Sequence, residues 1–392
     1  MDKKTVLVGI TGGIAVYKIA NLVRLYKKKG WNVIVVMTEN AAKFVAPLTF
    51  ETLTENPVVL DTFKRVTGYE TNMEHINLPD ITDVFVCAPA TANILGKMAN
   101  GIADDVLSTT IMSLKKSTPK LICPAMNVKM WENPATQRNL KLLHEFGYEI
   151  LEPDTGDLAC GVHAKGRLPA EDVIVKYTER ALSEKILAGK KIVVSSGATV
   201  EPLDPVRFLT NHSSGKMGVA VAETFWKLGA DVELVSGIYS EKSVVVPQVF
   251  VCSVDEMYAA ITAKLDKGCD HLVMTAAVSD YTPKTVHDKK VKKSDGPITI
   301  EFVRTKDIIK EVAKKYSVKI VGFAAETDNV IDYAKKKLTD KGMHMIVAND
   351  LTEAGAGFRT DTNHCYIITK DKMVDTGLVS KEAVAFEIAR LL

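Results

Sequence analysis

No two cysteines in this sequence are spaced as C-x-x-C. Six occur in 392 residues, at positions 87, 123, 160, 252, 269 and 365. Without the paired spacing, zinc and thioredoxin-type chemistry are not expected. So sparse a set in a long chain reads as reduced thiols, not as a disulfide framework. Long apolar runs are missing too, and no stretch reaches the ~18–20 residues that a membrane span requires. The opening MDKKTVLVGI has no extended apolar region ahead of its strand-like run. No secretory signal is therefore expected, and the cytoplasm is the expected location. Neither sign of charge dominates: the formal net charge is +2, which gives no global field for nucleic acid. Two phosphate-binding signatures are incomplete. The first Gly loop lacks the G-x-G-x-x-G of dinucleotide folds, and NHSSGKMG (211–218) fails as a P-loop because Thr210 and Met217 stand at key positions.

What is present is an ordinary globular balance, 46% apolar and 25% charged. A chain this long exceeds one core, so two domains are expected. TVLVGI (5–10) reads as a buried strand, residues 14–30 as an amphipathic helix ending at Gly30, and NVIVVMT (32–38) as the next strand. Further strands are expected at 83–89, 120–126 and 148–153. The pattern restarts with KIVVSSG (191–197), and 218–237 repeats the helix–Gly–strand order. The domains are therefore placed at 1–188 and 189–392. Later strands are expected at 271–277, 319–326 and 343–350, with a hairpin over 365–378 turning at Lys370-Asp371. Apolar strands alternating with helices give an α/β class, with parallel sheets covered on both faces.

Several loops carry candidate chemistry. GITGGIA (9–15) opens a helix whose first amides would receive one phosphate. A mononucleotide such as flavin mononucleotide (FMN) fits it better than NAD; a plain strand–helix turn fits it equally. Residues 88–110 bring Thr91, Asn93, Ser108, Thr109 and Thr110 among small residues, as ring contacts, helix caps or both. CPAMNVKMW (123–131) sets Asn127 between two thioethers and beside a Trp, the mixture of an apolar pocket with one fixed polar group. His75 has a pKa range suited to proton transfer, although a lone histidine is more often structural. Cys160 centres a Gly-rich loop (154–168) read as mobile. Ser213, Ser214 and Gly215 begin a helix suited to an anion, and Arg207 upstream is a possible clamp. The lysine-rich stretch 279–296 reads as a flexible cover, either a solvated loop or a lid for a triphosphate, and Asp280 within it, just after the strand, could face a base, a ribose or a metal.

Together, TGGIAVYK (11–18), APATAN (88–93), PAMNVKMW (124–131), LACG (158–161), EPLDPVRF (201–208), NHSSGKMG (211–218), AAVSDY (276–281), KKVKK (289–293) and GFAAET (322–327) are similar to one family over nearly the whole chain. They resemble the bifunctional phosphopantothenoylcysteine decarboxylase and phosphopantothenate–cysteine ligase of bacterial coenzyme A synthesis. The resemblance implies two Rossmann-like three-layer domains, an N-terminal flavoprotein-type parallel sheet and a C-terminal nucleotide-binding ligase domain. It implies FMN on Gly12, Gly13, Ile14, Thr38, Thr91 and Thr109. Asn127 would hold the substrate carboxylate, His75 would be a base and Cys160 the final proton donor. FMN would oxidise the thiol side towards a thioaldehyde, ease loss of carbon dioxide, and return the electrons.

In the other half, CTP with Mg2+ would activate 4′-phosphopantothenate as an acyl-cytidylate, and L-cysteine would attack it. Asn211 and Arg207 would hold the acyl group, and Lys290 would counter charge as pyrophosphate leaves. Nucleotide contacts would fall on Asp280, Lys290, Thr305, Lys306, Asp307, Ile308, Phe323, Lys337 and Lys341. The chain departs from the family at Thr305-Lys306, where Asn-Pro is usual, and at SSGAT (195–199). The partners are small molecules, with neither nucleic acid nor membrane, and the assembly implied is a homo-oligomer, a dodecamer of trimeric and dimeric contacts. Two rival readings are an NAD-linked oxidoreductase, which the first loop does not support, and a flavin-binding regulatory protein without catalysis.

Overall fold

The computed structural model describes residues 3–61, 74–157, 161–292, 298–326, 329–350, 352, 353, 355, 357 and 360–392; for residues 74–77 and 326 it describes the backbone alone. Contacts divide the chain into Met1–Ser183 and Glu184–Leu392.

The first unit is built on β1 (Thr5–Ile10), β2 (Asn32–Met37), β3 (Val58–Val59), β4 (Val84–Ala90), β5 (Lys120–Pro124) and β6 (Glu149–Ile150), in the order β3-β2-β1-β4-β5-β6. Every pairing is parallel. β1 shows why TVLVGI is apolar without alternation. Successive side chains point to opposite faces, and here both faces are covered. Val6, Val8 and Ile10 pack with Val16, Ile19, Val23 and Tyr26 of the helix Val16–Lys28. Leu7 packs on the other side with Phe85, Ile94 and Leu107, the last two from the helices Ala92–Asn100 and Val106–Ser113. Each such side chain removed from water contributes roughly 1.5–3 kcal/mol. The loop expected to be mobile at 154–168 differs: its flanks pair as an antiparallel hairpin of β7 (Asp154–Asp157) and β8 (His163–Arg167). The amide of Met126 donates to the Gly166 carbonyl at 2.9 Å and ties the hairpin to the segment just after β5.

The second unit contains β9 (Lys191–Ser196), β10 (Val200–Pro202), β11 (Phe208–Thr210), β12 (Asp231–Gly237), β13 (Gln248–Val251), β14 (His271–Met274), β15 (Tyr281–Pro283), β16 (Phe302–Arg304), β17 (Lys319–Glu326), β18 (Met345–Asp350), β19 (Thr362–Thr369) and β20 (Met373–Ser380). Its main sheet runs β13-β12-β9-β14-β17-β18-β19-β20. It is parallel as far as β18, and β19 and β20 are antiparallel. β19 turns into β20 at Lys370-Asp371, closed by the Thr369 amide on the Lys372 carbonyl at 2.9 Å. Two short antiparallel ribbons, β10–β11 and β15–β16, stand outside that sheet. The lysine-rich stretch read as a flexible cover is therefore fastened at its start, through β15.

His271 opens β14 with 2% exposure, and its buried Nδ1 has no hydrogen-bond partner among the described residues. Burial, reinforced by the Lys319 charge on the adjoining strand, pushes its pKa down from 6.5 to about 4. A folded-state pKa below the unfolded value means that the unfolded chain binds the proton first as pH falls. Stability of this unit is therefore expected to drop between pH 6.5 and about 4, by a few kcal/mol from this group. Urea midpoints across that window should fall more steeply for the wild-type chain than for His271→Phe.

Candidate functional site

Strand order reverses between β1 and β4 in the first unit, the position where open α/β sheets bind ligands beyond the carboxyl ends of their strands. Two adjoining clefts of about 540 and 440 Å3 lie there, sharing Gly12, Thr91 and Met130. The loop after β1 leads directly into the helix Val16–Lys28, whose first intrahelical-type bond is Val16 N to Gly13 O at 3.0 Å. Amides ahead of that bond have no acceptor in the helix and suit an anion. Gly12 is needed for close approach: a Cβ there would stand 2.5 Å from Asn40 Cβ and 3.0 Å from the Asn40 carbonyl carbon. Thr11, which sequence reasoning passed over, is 2% exposed. Its hydroxyl donates to Pro89 O at 2.6 Å and accepts from Thr91 N at 3.0 Å, so it joins the two loops that frame the clefts.

Thr38 and Thr91 both prove to be helix caps, accepting from Ala41 N at 3.2 Å and Ile94 N at 3.5 Å. Both also line the second cleft. Thr109 lines neither cleft; it sits half-buried in Val106–Ser113 and donates to Ala103 O at 3.4 Å. Met126, Asn127 and Met130 line the larger cleft together, which is the lined pocket their sequence suggested. Asn127 caps Val128–Trp131, its Oδ1 accepting from Lys129 N at 2.9 Å. Lys18, Asp157 and Arg167 complete that cleft and were not singled out in the sequence. Lys18 lies in the quoted TGGIAVYK, one turn beyond Gly13, so its position was available there.

On the second cleft, Lys97 meets Asp104 at 2.5 Å and Asp105 at 2.6 Å. Burial lowers the pKa of the ammonium, but the two aspartates outweigh it and hold it above the usual lysine range. His75 stands in the helix Glu74–Ile81; its side chain, and Cys160 altogether, lie outside the described residues.

In the second unit the order reverses between β9 and β14. Small residues dominate this junction because backbones meet. A Cβ on Gly237 would lie 1.9 Å from Ala198 O, and one on Gly218 would lie 2.5 Å from Ser196 Oγ and 2.6 Å from Thr275 Oγ1. Gly215 has φ +82°, in the left-handed region that glycine tolerates best, and opens the helix Lys216–Lys227. The serines of SSGAT are both buried and both used. Ser195 Oγ accepts from Ala276 N at 3.2 Å, and Ser196 Oγ donates to Gly215 O at 2.9 Å.

Around the end of β14, Asn211 Nδ2 donates to Ala277 O at 3.0 Å. Thr305 donates from its amide to Asp280 O at 3.0 Å and from its hydroxyl to Ser279 O at 2.6 Å, so the departure from Asn at this position still has a built role. Lys306 reaches Asp255 at 3.1 Å and lies over the Tyr258 ring at 4.3 Å. Asp307 caps the helix Ile308–Lys315 and pairs with Lys341 at 3.0 Å. Ile308 is 2% exposed, so only its backbone can face a ligand. Phe323 is half-buried on β17, and Lys337 is exposed on Val330–Asp340. Lys290 is exposed and has no ion-pair partner among the described residues. Arg207, read as an anion clamp, donates twice to one carboxylate oxygen of Asp204, with Nε at 3.0 Å and Nη2 at 2.6 Å from Oδ2.

Residues 187–392 match the family described as DNA/pantothenate metabolism flavoprotein C-terminal domain, and residues 1–183 match the family described as Flavoprotein. The coenzyme A biosynthesis bifunctional protein CoaBC of Bacillus subtilis (strain 168) is 45% identical, over 99% of this chain and 96% of that protein. The CoaBC protein of Vibrio cholerae is 41% identical, over 99% and 98%. A cysteine/cysteine sulfinic acid decarboxylase from an unknown prokaryotic organism is 41% identical, over 88% and 98%.

Proposed function

The chain belongs to the family of coenzyme A biosynthesis bifunctional proteins, and from that premise we propose that its second unit ligates 4′-phosphopantothenate to L-cysteine and its first unit decarboxylates the product. The observation that supports this reading is that both units reverse their strand order, where open α/β sheets bind ligands, and that the first unit has two clefts there.

In the ligation half, CTP converts the carboxylate into an acyl-cytidylate and releases pyrophosphate; the cysteine amine then displaces cytidine monophosphate. Asn211 and Arg207 hold the acyl group, and the exposed ammonium of Lys290 offsets the charge that develops on the leaving phosphates. Asp280, Thr305, Lys306, Asp307, Ile308, Phe323, Lys337 and Lys341 form the nucleotide side. Mg2+ would arrive on the triphosphate's own oxygens. Among the described residues no three His, Cys, Asp or Glu side chains form a cage for a resident metal.

In the decarboxylation half, the glycine cradle and the helix amides fit the phosphate of FMN, and Gly12, Gly13, Ile14, Thr38 and Thr91 would hold the cofactor; Thr109, outside both clefts, is not among them. Bound FMN supplies a two-electron oxidation that is reversed within the same turnover. Asn127 orients the departing carboxylate by a neutral hydrogen bond, which stabilises the ground state less than an ion pair at that position would. His75 takes the proton at the start, and Cys160 gives one at the end. Gly12→Ala is expected to weaken FMN binding at least tenfold, since its Cβ would clash with Asn40; fluorescence titration reads this, and ligation should not change.

We place the protein in the cytoplasm, as a homo-oligomer up to a dodecamer. No helix among the described residues is long and apolar enough to cross a membrane. Purified chain should show a flavin spectrum and should release pyrophosphate from CTP only when 4′-phosphopantothenate is present. Pyrophosphate release that ignores that acid would overturn the ligation half. A colourless protein that takes up no FMN would overturn the other.

A further inference from the structure

Asp204 lies in the turn between β10 and β11 and is 4% exposed. Its carboxylate has more donors around it than any surface ion pair would need. Oδ1 accepts from Val206 N at 2.9 Å and from Arg207 N at 2.9 Å. Oδ2 accepts from Arg207 Nε at 3.0 Å, from Arg207 Nη2 at 2.6 Å, and from Val291 N at 3.1 Å. The last of these reaches across 87 residues of sequence. The same guanidinium then closes a triangle, since Arg207 Nη2 also donates to Val291 O at 3.2 Å. Both backbone groups of Val291 are thereby taken by the Asp204–Arg207 pair. Four residues earlier, His287 N donates to Leu203 O at 3.0 Å. The stretch between these anchors is Asp288, Lys289 and Lys290.

A short stretch fastened at both ends has few conformations, and one residue next to an anchor has fewer still. An exposed lysine normally samples many positions, and fixing it costs rotamer entropy. Fixing its backbone beforehand leaves only the side chain to order. A buried carboxylate is costly unless it is fully hydrogen-bonded. Here every bond it makes organises either the turn that bears Arg207 or the segment that bears Lys290.

We propose that Asp204 is a positioning residue of the ligation site: its buried carboxylate fixes the Arg207 guanidinium and, through Val291, the backbone that carries Lys290. This inference rests on the ligation reading above. Arg207 is then not simply an anion clamp. Two of its nitrogens serve the scaffold, and Nη1 is left for the acyl group.

The test compares Asp204→Asn, Lys290→Gln and the double variant in the full chain. Asn keeps the shape but loses the charge and sets an NH2 group towards the guanidinium. Asp204→Asn should speed amide hydrogen exchange at Val291 at least tenfold, with the strands β9 and β14 unchanged. It should slow pyrophosphate release at least tenfold at saturating CTP, and leave decarboxylation of supplied 4′-phosphopantothenoylcysteine unaffected. Added to Lys290→Gln, it should cost clearly less than it costs alone, because the lysine it positions is gone and only its hold on Arg207 remains to be lost. Wild-type pyrophosphate release by Asp204→Asn would overturn the proposal, and so would fully multiplicative losses in the double variant. If Lys290→Gln alone left pyrophosphate release intact, the role given to Lys290 would fail instead, and exchange at Val291 would still report whether Asp204 holds the segment. Should Asp204→Asn not fold, Asp204→Glu keeps the charge but moves the carboxylate by one methylene, and the same losses are expected of it.

Discussion

Asn127→Asp should release no measurable carbon dioxide from supplied 4′-phosphopantothenoylcysteine, a loss of at least ~10²–10³-fold on the scale of removing one oriented donor. The change is small in shape. The Oδ1 acceptor that caps Val128–Trp131 through Lys129 N survives in the aspartate, so the turn should hold. What is lost is the NH2 side of the amide, replaced by an acceptor with negative charge. A substrate carboxylate would then meet a like charge in the cleft that Asn127 lines with Met126 and Met130. FMN should remain bound, because Asn127 is not among the residues proposed to hold it. Ligation should also continue, since it belongs to the other unit. Trapped carbon dioxide, the flavin absorbance and pyrophosphate release separate these three effects in one preparation. Normal carbon dioxide release would remove Asn127 from the mechanism.

Lys290→Gln should slow pyrophosphate release by about 10²-fold, the usual cost of losing one preorganised charge on a developing anion. The lysine is exposed and unpaired among the described residues, so its replacement breaks no ion pair there. The loss should appear in the maximal rate more than in the apparent affinity for CTP, because charge builds on the phosphates only as the bond breaks. The variant should still decarboxylate supplied intermediate at the wild-type rate. Stopped-flow pyrophosphate detection gives the number, and an unchanged rate would contradict the electrostatic role.

Much of the fold was legible because buried parallel strands write themselves as continuous apolar runs. TVLVGI, NVIVVM and KIVVSS all became central strands, and the restart near residue 190 marked the second sheet. The turn at Lys370-Asp371 was legible for the same local reason, two apolar-rich segments around a polar pair. The ribbons β7–β8, β10–β11 and β15–β16 were not. DTGD and HAKGR carry charge and glycine where alternation would be sought, and FLT and FVR are three-residue strands with exposed side chains. Such strands are too short and too polar or exposed for a period-two pattern to report them.

The same limit applies to the site. Asn127 and Gly12 stood out because their neighbours are unusual. Thr11 and Asp204 did not, although both lie beside or within quoted motifs. Their function is a hydrogen bond spanning 78 or 87 residues, and a threonine or aspartate in a turn has an adequate local explanation already.

The most direct measurement is mass spectrometry of one reaction containing the purified chain, 4′-phosphopantothenate, L-cysteine, CTP and Mg2+. The account predicts 4′-phosphopantetheine, with 4′-phosphopantothenoylcysteine rising first and then falling. Accumulation of that intermediate alone would mean that the ligation half works and the flavin half does not. Decarboxylated free cysteine with no condensed product would point to the chemistry named for the cysteine decarboxylase relative. Neither product from folded, flavin-loaded protein would contradict the account, and would leave a flavin-binding protein that catalyses nothing.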